Sequence, residues 1–218
     1  PRYMQVCRLC IGKRWRCNGA FQIAKALGLA DGWTAVAAAR DGALRALRRA
    51  AENIGVLVAI DDGSCDGTRR RIDPDECRGF TIVDRYAPLV FVTTEGPEPD
   101  QAFVLAHGLA HVFVGSGAIY DLRGLRPADD EIELACWHIA SKLLSGYHGT
   151  TNLPSNDFYD VWDLRVGRRF AAAIARAART GDLSYSEAYR LTGLYGEAFD
   201  RYTRYSMNGG VTDGSEVA

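Results

Sequence analysis

From Gly19 onward, apolar residues return at helical spacing through FQIAKALGL, and Asp31 with Gly32 closes the run. The next stretch, WTAVAAARDGALRALRRAAENIG, places Val36, Ala39, Ala43, Leu44, Leu47 and Ala51 on one helical stripe. It reads as a single helix, with Gly42 as a weak point costing about 1 kcal/mol relative to Ala, and Gly55 as its stop. The period then changes. VLVAI (56–60) is a short β-branched run, and FTIVD (80–84) and PLVFVTT (88–94) follow a polar loop. The short link RYA makes the last two a hairpin. Prolines and acids in GPEPD suit a helix start, and QAFVLAHGLAHVFVG is a helix ending at Gly115. The segment 116–130 reads as a loop, EIELACWHIASKLLSG as a helix, and FYDVWDLRVGRRFAAAIARAART as one long helix. GDLSYSEAYRLTGLYGEAFDRYTRY reads as two short helices.

The expected class is α+β: mainly helical, with a small, partly antiparallel three-stranded sheet packed on the helices that carry the candidate site. The expected organisation is an N-terminal segment without clear periodicity (1–19), a core (20–150), a C-terminal helical extension (151–206) and a flexible tail (207–218).

Composition narrows the functional classes. With 26 basic and 27 acidic residues the net charge is −1, so bulk electrostatics ask for neither nucleic acid nor an acidic membrane surface. Arg40, Arg45, Arg48 and Arg49, and Arg69 to Arg71, are expected to lie on solvated faces. The longest apolar runs are too short to span a bilayer, and no secretory signal is visible, so a cytoplasmic protein without a membrane partner is expected. The cysteines, Cys7, Cys10, Cys17, Cys65, Cys77 and Cys136, are then expected as thiols. Cys7, Cys10 and Cys17 lack a nearby fourth ligand for a structural zinc site. DGSCDG lacks the ligand spacing of a calcium loop.

The informative stretch is LAHGLAH. His107 and His111 are four residues apart. On a helix that spacing leaves them about 40° apart around the axis, with Cβ atoms about 5–6 Å apart. Two imidazoles so placed can grip one zinc ion, or can be a pair of core histidines. A catalytic zinc site takes a third protein ligand. Glu133 shares a helix face with Cys136, Trp137 and Ala140. A carboxylate facing an apolar side needs a partner, and zinc or an arginine would serve. Cys136 is expected to pack in the core and His138 to lie at the surface, with His148 in a loop.

These motifs resemble the ImmA/IrrE family of zinc-dependent metallo-endopeptidases, whose core reads L-x-H-E-L-A-H-L followed by E-x-x-C-N-x-x-A. FVLAHGLAHVFVG matches the first motif at His107, Leu109, Ala110 and His111, and EIELACWHIASKLL matches the second at Glu133, Cys136, Ala140 and Leu144. RGFTIVD and PLVFV resemble the family's strands, DFYDVWDLRVGRRFAAAI and LSYSEAYRLTGLYGEAFDRY its C-terminal helices. The resemblance runs from about residue 26 to about 205. It implies Zn2+ held by His107, His111 and Glu133, and cleavage of a repressor-like transcription regulator. Three positions depart from the pattern: the general-base Glu falls at Gly108, the Asn after the Cys at Trp137, and a common Pro at Gly146. Gly108 can carry no proton, so turnover is expected to be strongly reduced. The alternative is a non-catalytic zinc-bearing module that binds a repressor or antitoxin partner.

Overall fold

The computed structural model describes residues 15–40, 42–61, 77–94, 96–120, 131–146 and 166–207. They fall into two compact units, 15–61 with 77–146, and 166–207. Cys7, Cys10, Cys65, Arg69 to Arg71, His148 and the tail from 208 lie outside the described residues.

The first unit runs α1 (Trp15–Leu27), α2 (Trp33–Ala39), α3 (Ala43–Ile54), β1 (Leu57–Asp61), β2 (Gly79–Ile82), β3 (Leu89–Thr93), α4 (Glu98–Val114), β4 (Ala118–Tyr120) and α5 (Glu131–Leu143). The class is α+β, mainly helical with a small mixed sheet. The strand order is β1-β3-β2-β4. β2 and β3 form the expected hairpin, Phe80 opposite Phe91, while β1 runs parallel to β3. The sheet has four strands rather than three. AIY (118–120), expected as loop, pairs antiparallel with β2. Three residues carry no readable period of their own, so that strand exists through its partner.

α4 is the centre of this unit. It packs on β2 and β3, on α3, and on α5. Every residue from Val104 to Phe113 is buried, as befits a helix covered on all sides. The sheet presents Val58, Ile60, Val90 and Val92 to the core, the alternate positions that a pleated strand directs to one face.

Two helix boundaries differ from the periodicity. The stretch 33–54 is two helices, because Gly42 adopts φ 84, ψ 157 between them. That backbone favours glycine. At the N-terminal side, α1 begins at Trp15, four residues before Gly19. Gly19 is mid-helix, where α1 packs on α5: a Cβ would lie 2.8 Å from Ile139 Cδ1, the tip of a side chain. Gly55 closes α3 with φ 108, as expected.

Two charged groups do more than line a surface. Arg48 is buried rather than solvated, 3.4 Å from Glu52, which is buried with it. The i,i+4 spacing lets a buried guanidinium keep a carboxylate beside it. Glu98, the first residue of α4, accepts a hydrogen bond from the backbone N–H of Leu44 at 2.8 Å. The Gly42 cap offers α3 no side-chain acceptor, so the cap arrives from 54 residues away. Glu98→Ala is expected to destabilise the protein by about 1 kcal/mol, in the range of lost N-caps. Denaturant titration of the two proteins measures it.

The second unit is α6 (Arg168–Thr180), α7 (Tyr185–Thr192) and α8 (Gly196–Met207). Its core gathers Val166, Ala171, Ala178, Ala188, Leu194, Phe199 and Tyr202. α7 and α8 are the two expected short helices. The long helix expected before them does not pass Gly167, whose φ 83, ψ 128 makes it the N-cap of α6. Its earlier part lies outside the described residues.

Ser184 and Glu187 form a capping box on α7. The Ser184 hydroxyl and backbone N–H hold the Glu187 carboxyl below its ordinary value. A carboxyl lowered on folding stabilises above its unfolded pKa, and that contribution is lost as pH falls through the folded value. Protection of the α7 amides, taken relative to their intrinsic exchange at each pH, should therefore fall below the ordinary carboxyl range, and Glu187→Gln should flatten that response.

Candidate metal centre

Three side chains from two helices meet in the first unit. α4 starts on the Pro97 cap with Glu98 and Asp100 in its first turn, where acids suit the helix dipole. Its helical spacing carries His107 and His111, 0% and 1% exposed, to the side that meets α5. Glu133 lies in the first turn of α5, its side chain 18% exposed. His107 Nε2 is 3.0 Å from Glu133 Oε2. His111 Nε2 is 3.2 Å from Glu133 Oε1 and 3.1 Å from His107 Nε2. Among the described residues, His107, His111 and Glu133 are the group of His, Cys, Asp or Glu side chains arranged to hold a metal ion.

The loop after α4 fixes the second imidazole. Gly115 ends the helix at φ 82, and its N–H and that of Ser116 both donate to the His111 carbonyl. This turn brings the Ser116 carbonyl to 3.0 Å from His111 Nδ1. A carbonyl can only accept, so Nδ1 carries the proton. In the neutral ring Nε2 then presents its lone pair to His107 and Glu133. Gly117 follows close against β2, where a Cβ would lie 3.0 Å from the Thr81 carbonyl.

The protonation states suit a cation. Burial pushes His107 below the ordinary histidine value, further aided by His111, against the opposing pull of Glu133. The buried ring is therefore neutral. Burial alone would raise the Glu133 carboxyl, but its contacts with the two imidazoles outweigh it and hold the group at about 2. Glu133 is thus an anion at neutral pH. One proton on His107 Nε2 can serve only one neighbour. His111 Nε2 would still face a carboxylate oxygen lone pair to lone pair. A divalent cation satisfies all three donors together, and neutral imidazoles with a carboxylate are the forms that bind one.

The other sequence candidates are placed as follows. Gly108 is buried in α4, and its carbonyl accepts from Thr81 Oγ1 on β2 at 3.3 Å. Cys136 is a buried thiol, as expected, and His138 is exposed. Trp137 packs edge-to-face on Phe103 of α4, ring centres 6.0 Å apart. The roles of Ser116 and Thr81 have no signature in sequence, because each contact uses the backbone of one partner. Phe103 was readable in principle, standing four residues before His107.

Similarity to known proteins lies in the second unit. A family model described as a domain of unknown function (DUF8813) matches residues 166–205, which include none of the three clustered residues. No curated protein and no solved structure matches the chain.

Proposed function

We propose that this chain carries a zinc site of the ImmA/IrrE metallo-endopeptidase type, directed at a repressor-like regulatory protein and weak in turnover. The observation that carries the proposal is the convergence of His107, His111 and Glu133 within 3.0–3.2 Å of one another. Zinc bonds of about 2.0–2.1 Å at tetrahedral angles set donor separations near 3.3 Å, so the triangle needs only small adjustment. The Ser116 carbonyl on His111 Nδ1 supplies the outer hydrogen bond that orients a metal-bound histidine. When bound, zinc would supply a Lewis acid for a peptide carbonyl and would acidify water. The protein's own part is to hold the ion and, in this family, to move a proton beside it. Gly108 has no group for that second task.

Gly108 also favours a second reading, in which the zinc-bearing module binds a repressor or antitoxin without cutting it. No described helix is long and apolar enough to cross a membrane. The Cys77 and Cys136 thiols support a reducing, cytoplasmic setting.

Metal analysis tests the common premise. Purified protein exposed to stoichiometric Zn2+ and then dialysed should hold about one equivalent, released by a chelator. Protein holding none would end both readings. Incubation with a neighbouring-operon repressor then separates them: fragments support the peptidase, and co-elution of the intact protein supports the binding module.

A further inference from the structure

The second unit holds a hollow of about 330 Å³, lined from α6, α7 and α8. On α8, Asp200, Thr203, Arg204 and Met207 stand at i, i+3, i+4 and i+7, so one face of that helix carries all four. On α6, Ala175 and Arg179 are four apart and share a face. The two faces meet at the hollow, where Arg179 Nη1 donates to Met207 Sδ at 3.6 Å. Tyr185, the first residue of α7, stands half-exposed at the rim, its ring centre 6.4 Å from that of Phe199. Phe199 is buried and forms the apolar floor.

Charge selects what enters. Arg179 and Arg204 lie in the last turns of α6 and α8, where the helix dipole favours cations. The dipole accounts for the residue type at each end, but not for both side chains opening onto one cavity with aromatic walls. Their contacts are with uncharged acceptors: the Met207 thioether for Arg179, and the Asp200 carbonyl, 3.4 Å from Arg204 Nε. Neither acceptor neutralises a guanidinium. Among the described lining residues, Asp200 is the one acid against two arginines, so the hollow is positive on balance. Guanidinium forks bind carboxylates and phosphates in preference to neutral groups. Aromatic walls with a few polar groups around about 300 Å³ are the ordinary make-up of a small-molecule site. We propose that this hollow binds a small organic anion with a ring-sized apolar body, its acid group on Arg179 and Arg204 and its body against Tyr185 and Phe199.

The chain has two methionines, Met4 and Met207, so methionine-methyl NMR reads the hollow directly. In the isotope-labelled full chain, phenylpropionate should shift the Met207 signal saturably, and Met207→Leu, which removes that signal, identifies it. The uncharged analogue phenylpropanol should bind about tenfold more weakly, the scale of one charge-assisted hydrogen bond. Changing Arg179→Gln and Arg204→Gln together should make the two affinities equal, with helix content kept because both side chains are exposed. Tyr185→Ala should weaken both compounds alike. A Met207 signal that does not saturate overturns the proposal. So do equal affinities in the unaltered protein, or an acid preference that survives the double arginine change. Inorganic phosphate binding as tightly as phenylpropionate, or affinities that Tyr185→Ala leaves unchanged, would reduce the hollow to a patch of charge and overturn the apolar half of the site.

Discussion

Glu133→Ala should leave a folded chain that no longer retains zinc through dialysis. Outer-shell substitutions typically cost about 10–100-fold in metal affinity, and loss of a direct ligand should exceed that range. The reason is specific to this site. Glu133 is the charged member of the cluster, held ionised at a pKa of about 2, and it contacts both imidazoles. Without it two neutral rings face a divalent ion alone. Zinc content by mass spectrometry or atomic absorption reads the outcome. A variant that still holds a full equivalent would put the ion elsewhere. The metal-free parent should also respond to acid. A carboxyl whose pKa falls from 4.5 to about 2 on folding contributes fully above 4.5 and loses that contribution as pH drops through 2. Its alanine variant should show a flatter stability profile across that window.

Gly108→Glu should raise peptide hydrolysis by about 10²–10⁴-fold over the parent, the usual worth of a positioned acid–base group. Gly108→Ala is the necessary companion. Each replacement removes a helical glycine and could add up to about 1 kcal/mol of helix propensity. Only the glutamate supplies a proton acceptor. Activity should therefore rise in the first and stay flat in the second, with both zinc contents unchanged. Equal activity in the two would remove the peptidase reading and leave the binding module.

Much of the first unit was legible because its elements announce themselves locally. The apolar helix ending at Gly115, the Gly55 stop and the 80–94 hairpin each follow from period and turn chemistry within a dozen residues. What escaped was decided by contact. The 33–54 run looks continuous because alanine and leucine fit a helix anywhere; the positive φ of Gly42 breaks it. Ala118–Tyr120 is a strand because β2 offers it an edge. Arg48 looks like one more surface arginine until Glu52 is found buried beside it.

The candidate site divides along the same line. Sequence alone determined that His107 and His111 share a face, since four residues make just over one turn, and that Glu133 leans toward an apolar side and needs a partner. It also determined that position 108 has no proton carrier. Only the tertiary structure decided that Glu133 reaches both rings, that the Ser116 carbonyl sets the tautomer of His111, and that Trp137 packs on Phe103. Helical period is a property of one segment, whereas the distance between two helices depends on every side chain packed between them.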